Sequence, residues 1–184
     1  MVEQENSPRE YIKCRSELSS PITDWEKSWQ CSRLKGLGSE ATSFLWKLLH
    51  CILPTEQRLA RILPNLKEEC KYCPDKTADL THCFFECCKT RNVGMWLLSL
   101  VNQYDTIATA SGILKLEFEV ENSLEMPIAW LIAQSLSYIW GVRCSGEVVN
   151  LLKTRSVLES KINLLRKTRF TNESVLIFQI FENS

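Results

Sequence analysis

The sequence has no surplus of charge. Lys+Arg and Asp+Glu each number 22 in 184 residues, so no global basic field surrounds the chain. Tight, autonomous nucleic-acid binding draws on clustered cations that release counterions. Any such surface here has to be a local patch. Long apolar runs are missing as well. The most apolar stretch, 128–142 (IAWLIAQSLSYIWGV), falls short of the ~20 residues that span a bilayer, and Gln134, Ser135 and Ser137 interrupt it. A buried helix fits it better, and no membrane partner is expected. The opening residues, MVEQENSPREY, carry no apolar core and no cleavage signature, so nothing there reads as a secretion signal. A phosphate-cradling loop is absent, because Gly36-Leu-Gly38 lacks the Lys-Ser/Thr and the preceding strand. Aspartate is scarce. Asp24, Asp75, Asp79 and Asp105 include no adjacent pair, whereas a polymerase needs paired carboxylates to hold two metal ions. His50 beside Cys51 is no substitute nucleophile, since helical neighbours point to different faces. No enzymatic activity is expected. Internal repeats and low-complexity tracts are also absent.

Cysteine is what the chain has in excess. There are nine, at 14, 31, 51, 70, 73, 83, 87, 88 and 144. An odd count without a secretion signal argues against a disulfide framework and for an intracellular protein, cytoplasmic or nuclear. Five of the nine fall between Cys70 and Cys88, and that clustering asks for a metal.

Hydrophobic residues make up 45%, enough for a real core, and their periodicity is mostly helical. Residues 1–20 read as a flexible lead-in. Thr23 and Glu26 fit a capping box that opens a helix carrying Trp25, Trp29 and Leu34 on one face. Ser39 is placed to cap a second helix to about Cys51, with Phe44, Leu45, Leu48 and Leu49 inward. Pro54 ends it, and Thr55 caps the next, 56–63. Beyond the Cys-rich loop a helix is expected from about Thr90 to Gln103, with Val93, Trp96, Leu97 and Leu100 inward. The alternation in 113–120 (ILKLEFEV) suggests a short strand. Helices follow over 128–142 and 147–169, the latter on Val148, Leu151, Leu152, Leu158, Ile162 and Leu165. A short apolar segment, 175–181, ends the chain. The reading is a mainly α protein: a lead-in (1–20), a helical zinc-binding domain (21–103) and a helical C-terminal extension (104–184).

The Cys-rich loop has the spacing of a metal module. Cys70-x2-Cys73 places two thiolates at one ion, and His82-x4-Cys87 follows eight residues later. Four such ligands close a tetrahedral site and leave no position for water, which points to structural rather than catalytic zinc. Spacing alone leaves the third ligand open. Cys83 and Cys87 share a face of a regular helix, whereas His82 and Cys87 do not, so Cys70, Cys73, Cys83 and Cys87 form a competing set. Cys88 is a weaker candidate.

At these residues the chain resembles a known family. The run 44–59 (FLWKLLHCILPTEQRL), the Cys70-x2-Cys73 pair and 82–87 (HCFFEC) look like the zinc-binding region that follows the polymerase domain in non-LTR (LINE-type) retrotransposon reverse transcriptases. That family reads roughly W-K-x5-L-P-T-x3-L, then Cys-x2-Cys, then His-x2-F-x-Cys, then a helix bearing Trp. Trp46, Lys47, Leu53, Pro54, Thr55, Leu59, Phe85 and Trp96 fill those places. Specific motifs cover about 24–100. A looser likeness reaches Phe170 through 163–170 (NLLRKTRF). The resemblance implies zinc on Cys70, Cys73, His82 and Cys87, because Cys83 stands where the family usually has an aliphatic residue. Cys88 departs from a common proline. The resemblance also implies a region that helps hold template RNA or target DNA beside a reverse transcriptase polymerase domain, which this sequence lacks.

Two basic sets are the candidate phosphate contacts. One surrounds the region before the Cys-rich loop: Arg33, Lys35, Lys47, Arg58 and Arg61. In the other, Arg143, Lys153, Arg155, Lys161, Arg166, Lys167 and Arg169 outnumber Glu147 and Glu159. Arg58, Arg61, Arg166, Lys167 and Arg169 are singled out. The bland reading of both sets is solvated helix faces. The six tryptophans sit at helical spacing and read as core packing rather than base stacking. The expected function is a non-catalytic nucleic-acid-binding accessory region. Its alternatives are a module that packs on a polymerase domain and an inactive retroelement remnant.

Overall fold

A computed structural model describes residues 25–105, 108–167 and 171–183. It is mainly helical, and the described residues include only one two-stranded sheet. The helices are α1 (Trp25–Ser32), α2 (Gly38–Leu49), α3 (Glu56–Ile62), α4 (Arg91–Val101), α5 (Ala110–Lys115), α6 (Asn122–Ser145), α7 (Leu151–Arg166) and α8 (Thr171–Glu182). Between α3 and α4 lie strands β1 (Glu69–Cys70) and β2 (Cys73–Thr77) and a single π-turn, His82–Glu86. The lead-in and Thr23 lie outside the described residues, as do Cys14 and Arg169.

The centre is α6. Every residue from Pro127 to Ser137 is buried, and a helix apolar all round belongs inside a core. The expected 128–142 helix is therefore real but longer. It extends back through Pro127 to Asn122, although a proline reads as a boundary in sequence. Helices α1, α2, α4, α7 and α8 pack against α6. One continuous apolar cluster joins residues from Cys31 to Phe181.

Local chemistry explains several ends. The Thr55 hydroxyl accepts the Arg58 backbone N–H at 3.1 Å, capping α3 as expected. Residue Ser39 caps nothing: α2 starts at Gly38, and its N-cap position is Leu37, without a side-chain bond. The expected strand at 113–120 is a correction. Thr109 caps α5 by accepting the Gly112 N–H at 3.0 Å, and Leu116 ends it in the left-handed region with φ 60. Ile113, Leu114, Lys115 and Leu116 are all buried, so the alternation of the letters does not correspond to an alternation of faces. Ser28 of α1 donates to the Lys115 carbonyl at 2.7 Å and holds this segment against the core.

The helix expected at 147–169 starts later. Asn150 caps it through the Lys153 N–H, and its buried row is Thr154, Leu158, Ile162 and Leu165. Val148 and Leu152, read as core-facing, are exposed. In α4, Val93, Leu97 and Leu100 are buried as expected, and Trp96 is half-buried.

Candidate metal centre

The first two cysteines stand at the mouth of a hairpin. β1 and β2 are antiparallel, with Cys70 opposite Cys73, so the two-residue link Lys71-Tyr72 brings both thiols to one side. The strands carry little apolar cover, since 66–69 and 74–77 are exposed. Beyond them Asp79 accepts the His82 backbone N–H at 2.7 Å and starts the next turn.

That turn decides the third ligand. Residues five apart lie ~140° apart around an α-helix, which is why His82 and Cys87 do not share a face on regular geometry. The chain instead makes a π-turn, with the Cys87 N–H bonded to the His82 carbonyl at 2.8 Å. An i→i+5 closure widens the turn and sets positions five apart over one another. His82 and Cys87 then face the hairpin together. Gly94 makes room for this geometry, because a Cβ there would overlap the Phe84 carbonyl oxygen in the turn.

The structure therefore gathers Cys70, Cys73, His82 and Cys87. Their donor atoms all lie within 4.8 Å of one another. Cys70 Sγ and Cys73 Sγ are each 3.8 Å from Cys87 Sγ. Two sulfurs held ~2.3 Å from a tetrahedral ion stand ~3.8 Å apart, so the spacing is that of a metal-sized gap. His82 supplies a second mark of fit. Its ring is buried, and Nε2 has no hydrogen-bond partner. Its Nδ1 is 3.6 Å from the Glu86 carboxylate, which favours the proton on Nδ1 and leaves the Nε2 lone pair for a ligand bond. Cys83 does not join them. It is fully buried in the core cluster, and burial pushes its thiol upward.

The surroundings suit thiolates. The Cys88 backbone N–H donates to Cys73 Sγ at 3.2 Å. Burial opposes ionisation of Cys73, but that N–H and the neighbouring Cys88, Cys87 and Cys70 thiols bring it below its ordinary value. Cys87 is pushed up to about 12 by burial, with Cys70 adding to the effect. Arg143, from the end of α6, donates to Cys70 Sγ at 3.6 Å and to both Glu56 oxygens at 3.0 and 3.1 Å. Burial disfavours its charge, yet Cys83, Glu56 and Cys70 hold it above its ordinary value. Three thiolates around a divalent ion would leave one net negative charge beside that of Glu56, and the buried guanidinium offsets one of the two.

The basic candidates stand differently. Arg58 is half-buried and donates to the Cys51 carbonyl at 2.6 Å, while Arg61 is exposed. Arg166 and Lys167 are exposed, with Arg166 stacked 5.0 Å over Phe178. Among the described residues, the cations from Arg143 to Lys167 do not form one stripe. Arg143 is buried at the metal centre. Arg155 lies over Trp96 and Phe181. Lys161 donates to Gln134 at 2.6 Å, and Lys153 pairs with Glu147 at 3.7 Å. Sequence counts charges without seeing which ones turn inward.

Another cationic site went unread. Lys71 and Lys89 stand 4.9 and 5.4 Å from the centre of the Tyr72 ring, beside the metal ligands. A hydrogen bond with Tyr72 holds the Lys71 ammonium above its ordinary value. Among the described residues no carboxylate lies within ion-pair distance of either lysine. The available signal was position: Lys71 directly follows Cys70, and Lys89 stands two residues after Cys87.

No helix among the described residues is long and apolar enough to cross a membrane. Comparison with protein-family models, curated proteins and solved structures finds no match to this chain.

Proposed function

We propose that this chain is a non-catalytic nucleic-acid-binding accessory region, derived from a non-LTR retrotransposon reverse transcriptase and stapled by one structural zinc. The carrying observation is the pairing of the Cys/His cluster with two lysines, Lys71 and Lys89, on the same hairpin surface around Tyr72. Soft thiolates with one imidazole select zinc over calcium or magnesium, which take oxygen ligands. Four protein ligands give the ion a structural role. The lysines offer phosphate contacts that position without reading sequence, and the intracellular setting follows from the reduced thiols a zinc site needs.

Two measurements test this reading together. Metal analysis of the purified chain should give close to one zinc per chain. Anisotropy titrations against duplex DNA and structured RNA, with a salt series, should show binding that weakens as salt rises. The paired variant Lys71→Gln/Lys89→Gln should lower affinity for all sequences alike and flatten the salt slope by about 1 to 2. Metal content well below half an equivalent, or no binding at low salt, would overturn it. One observation favours the second reading, a module that packs on a polymerase domain. Ile62, Leu63 and Leu66 form an exposed aliphatic corner after α3, the kind of surface a protein partner covers.

A further inference from the structure

Three tryptophans and a histidine meet at the surface where α1 joins α2. Trp25, Trp29 and Arg33 follow one another at intervals of four, and Arg33 stacks 5.0 Å over the Trp29 ring. From α2 come Trp46 and His50, again four apart and therefore on one face. His50 sits where the two rows converge. Its ring centre is 4.5 Å from Trp46 in a stacked arrangement, and 5.5 and 6.2 Å from Trp29 and Trp25 in edge contacts. The His50 Nδ1 lies 2.8 Å from the Trp46 carbonyl, which fixes the ring. Trp25 and Trp29 back onto the core, and Trp46 and His50 stand on its outer side. Trp46 is 45% exposed, and Trp25, Trp29 and His50 are half-buried. The expectation that all the tryptophans pack inward fails here.

Contacts between rings stabilise in their own right, but the outer face of Trp46 stays open to solvent and is free to take something flat. The neighbours indicate what that is. Arg33, stacked on Trp29, is exposed and makes no ion pair among the described residues, while Glu26 and Glu40 are the exposed acids on the two helices. No exposed aliphatic residue belongs to the group. The exposed Ile62, Leu63, Leu66, Val148 and Leu152 lie on other elements. Rigid aromatic faces beside an arginine that makes no ion pair match unstacked bases joined by phosphates, whereas a protein partner would call for an aliphatic rim. We propose that Trp46, with Trp29, His50 and Arg33, forms a stacking platform for single-stranded nucleic acid. This rests on the nucleic-acid reading above and adds the kind of strand and the surface that takes it.

The test is anisotropy of labelled oligothymidylate and oligouridylate of ~15 nucleotides, against a duplex of equal length, at about 20 mM salt and above. Trp46→Ala should weaken single-strand binding about 5- to 100-fold, with little change for the duplex. Its salt slope should stay the same, because stacking releases no counterions. Trp46→Phe should keep most of the affinity, and Leu152→Ala, an exposed apolar control, should keep all of it. Arg33→Gln should lower both affinity and slope. Equal single-strand affinity in Trp46→Ala and the parent chain would overturn the platform. If the duplex or a structured RNA binds and single strands do not, the platform falls and the broader reading stands. If nothing binds at low salt, both fall. The two sugars separate RNA from DNA as the source of the strand.

Discussion

Removing the metal should loosen one segment and spare the rest. A metal on these four residues would tie the exposed β1–β2 hairpin to the π-turn, and Cys70 and Cys87 are 17 residues apart. Little else holds the hairpin, since 66–69 and 74–77 are exposed. The π-turn is different, because Cys83, Phe84 and Phe85 are buried in the main core and do not depend on the hairpin for cover. A metal clip that closes a loop stabilises as a cross-link does, and closing a loop of about 15 residues is worth ~3 kcal/mol at 25 °C. Local opening of the hairpin should then become about 100-fold more frequent on chelation. Hydrogen exchange with and without a chelator measures this directly. The amides of 69–78 should lose roughly that factor of protection, including Ala78, whose N–H bonds the Glu68 carbonyl at 2.8 Å. The amides of α6 and α7 should keep theirs. A uniform loss through α6 would refute the reasoning, since it would make the metal a condition for the whole fold. Unchanged protection in the hairpin would refute it too.

Three further outcomes are expected. Cys73→Ser should lose metal, while Cys88→Ser should retain it, because Cys88 serves the site through its backbone N–H; metal analysis of both variants decides this. Metal affinity should rise with pH. A thiol pushed up to about 12, as at Cys87, keeps its proton through neutral pH without metal and must release it to bind; competition against a chelator at several pH values should show affinity falling as pH falls, and pH-independent affinity would contradict it. Gly94→Ala should destabilise the chain by roughly 1–3 kcal/mol through the overlap with the Phe84 carbonyl, lowering the melting temperature by several degrees, and a melting temperature equal to the parent's would show that the turn can shift cheaply.

Much of this architecture is legible where local chemistry is strong. Thr55 reads as a cap because only a few residue types can accept an orphan N–H there. Cys70, Cys73 and Cys87 read as a group because thiols so close in a reduced protein need a reason. His82 could not be settled from helical period, since the period itself changes at 82–86. The alternation at 113–120 misled because a strand needs a neighbour to pair with, and the caps at Thr109 and Leu116 favour one helical turn instead. Val148 and Leu152 misled through phase. Val148 precedes the Asn150 cap and so lies outside the helix, and Leu152, six residues before Leu158, stands about 120° around the helix from it. Arg143 was counted as surface charge, although it is the buried partner of Glu56 and Cys70.

The fate of the arginines and lysines also bears on how such a chain could hold a strand. A net charge of zero gives little long-range attraction. Arg143, Arg155 and Lys161 turn inward or lie over rings, which leaves cations in small numbers at separate places: Lys71 with Lys89 around Tyr72, Arg33 over Trp29, and Arg166 with Lys167 at the end of α7. Each could neutralise one or two phosphates, for a salt slope of about −1 to −2 per place on duplex DNA. No single group can supply the steep salt dependence of a dedicated binder. Under the proposed function, affinity must then come either from engaging several groups at once along a long strand or from contacts that salt does not screen. Stacking on Trp46 is of the second kind. Strand length separates the two: if spanning groups dominates, affinity should climb steeply with oligonucleotide length and fall steeply with salt. If stacking dominates, a short oligonucleotide should retain most of the affinity and a shallow slope.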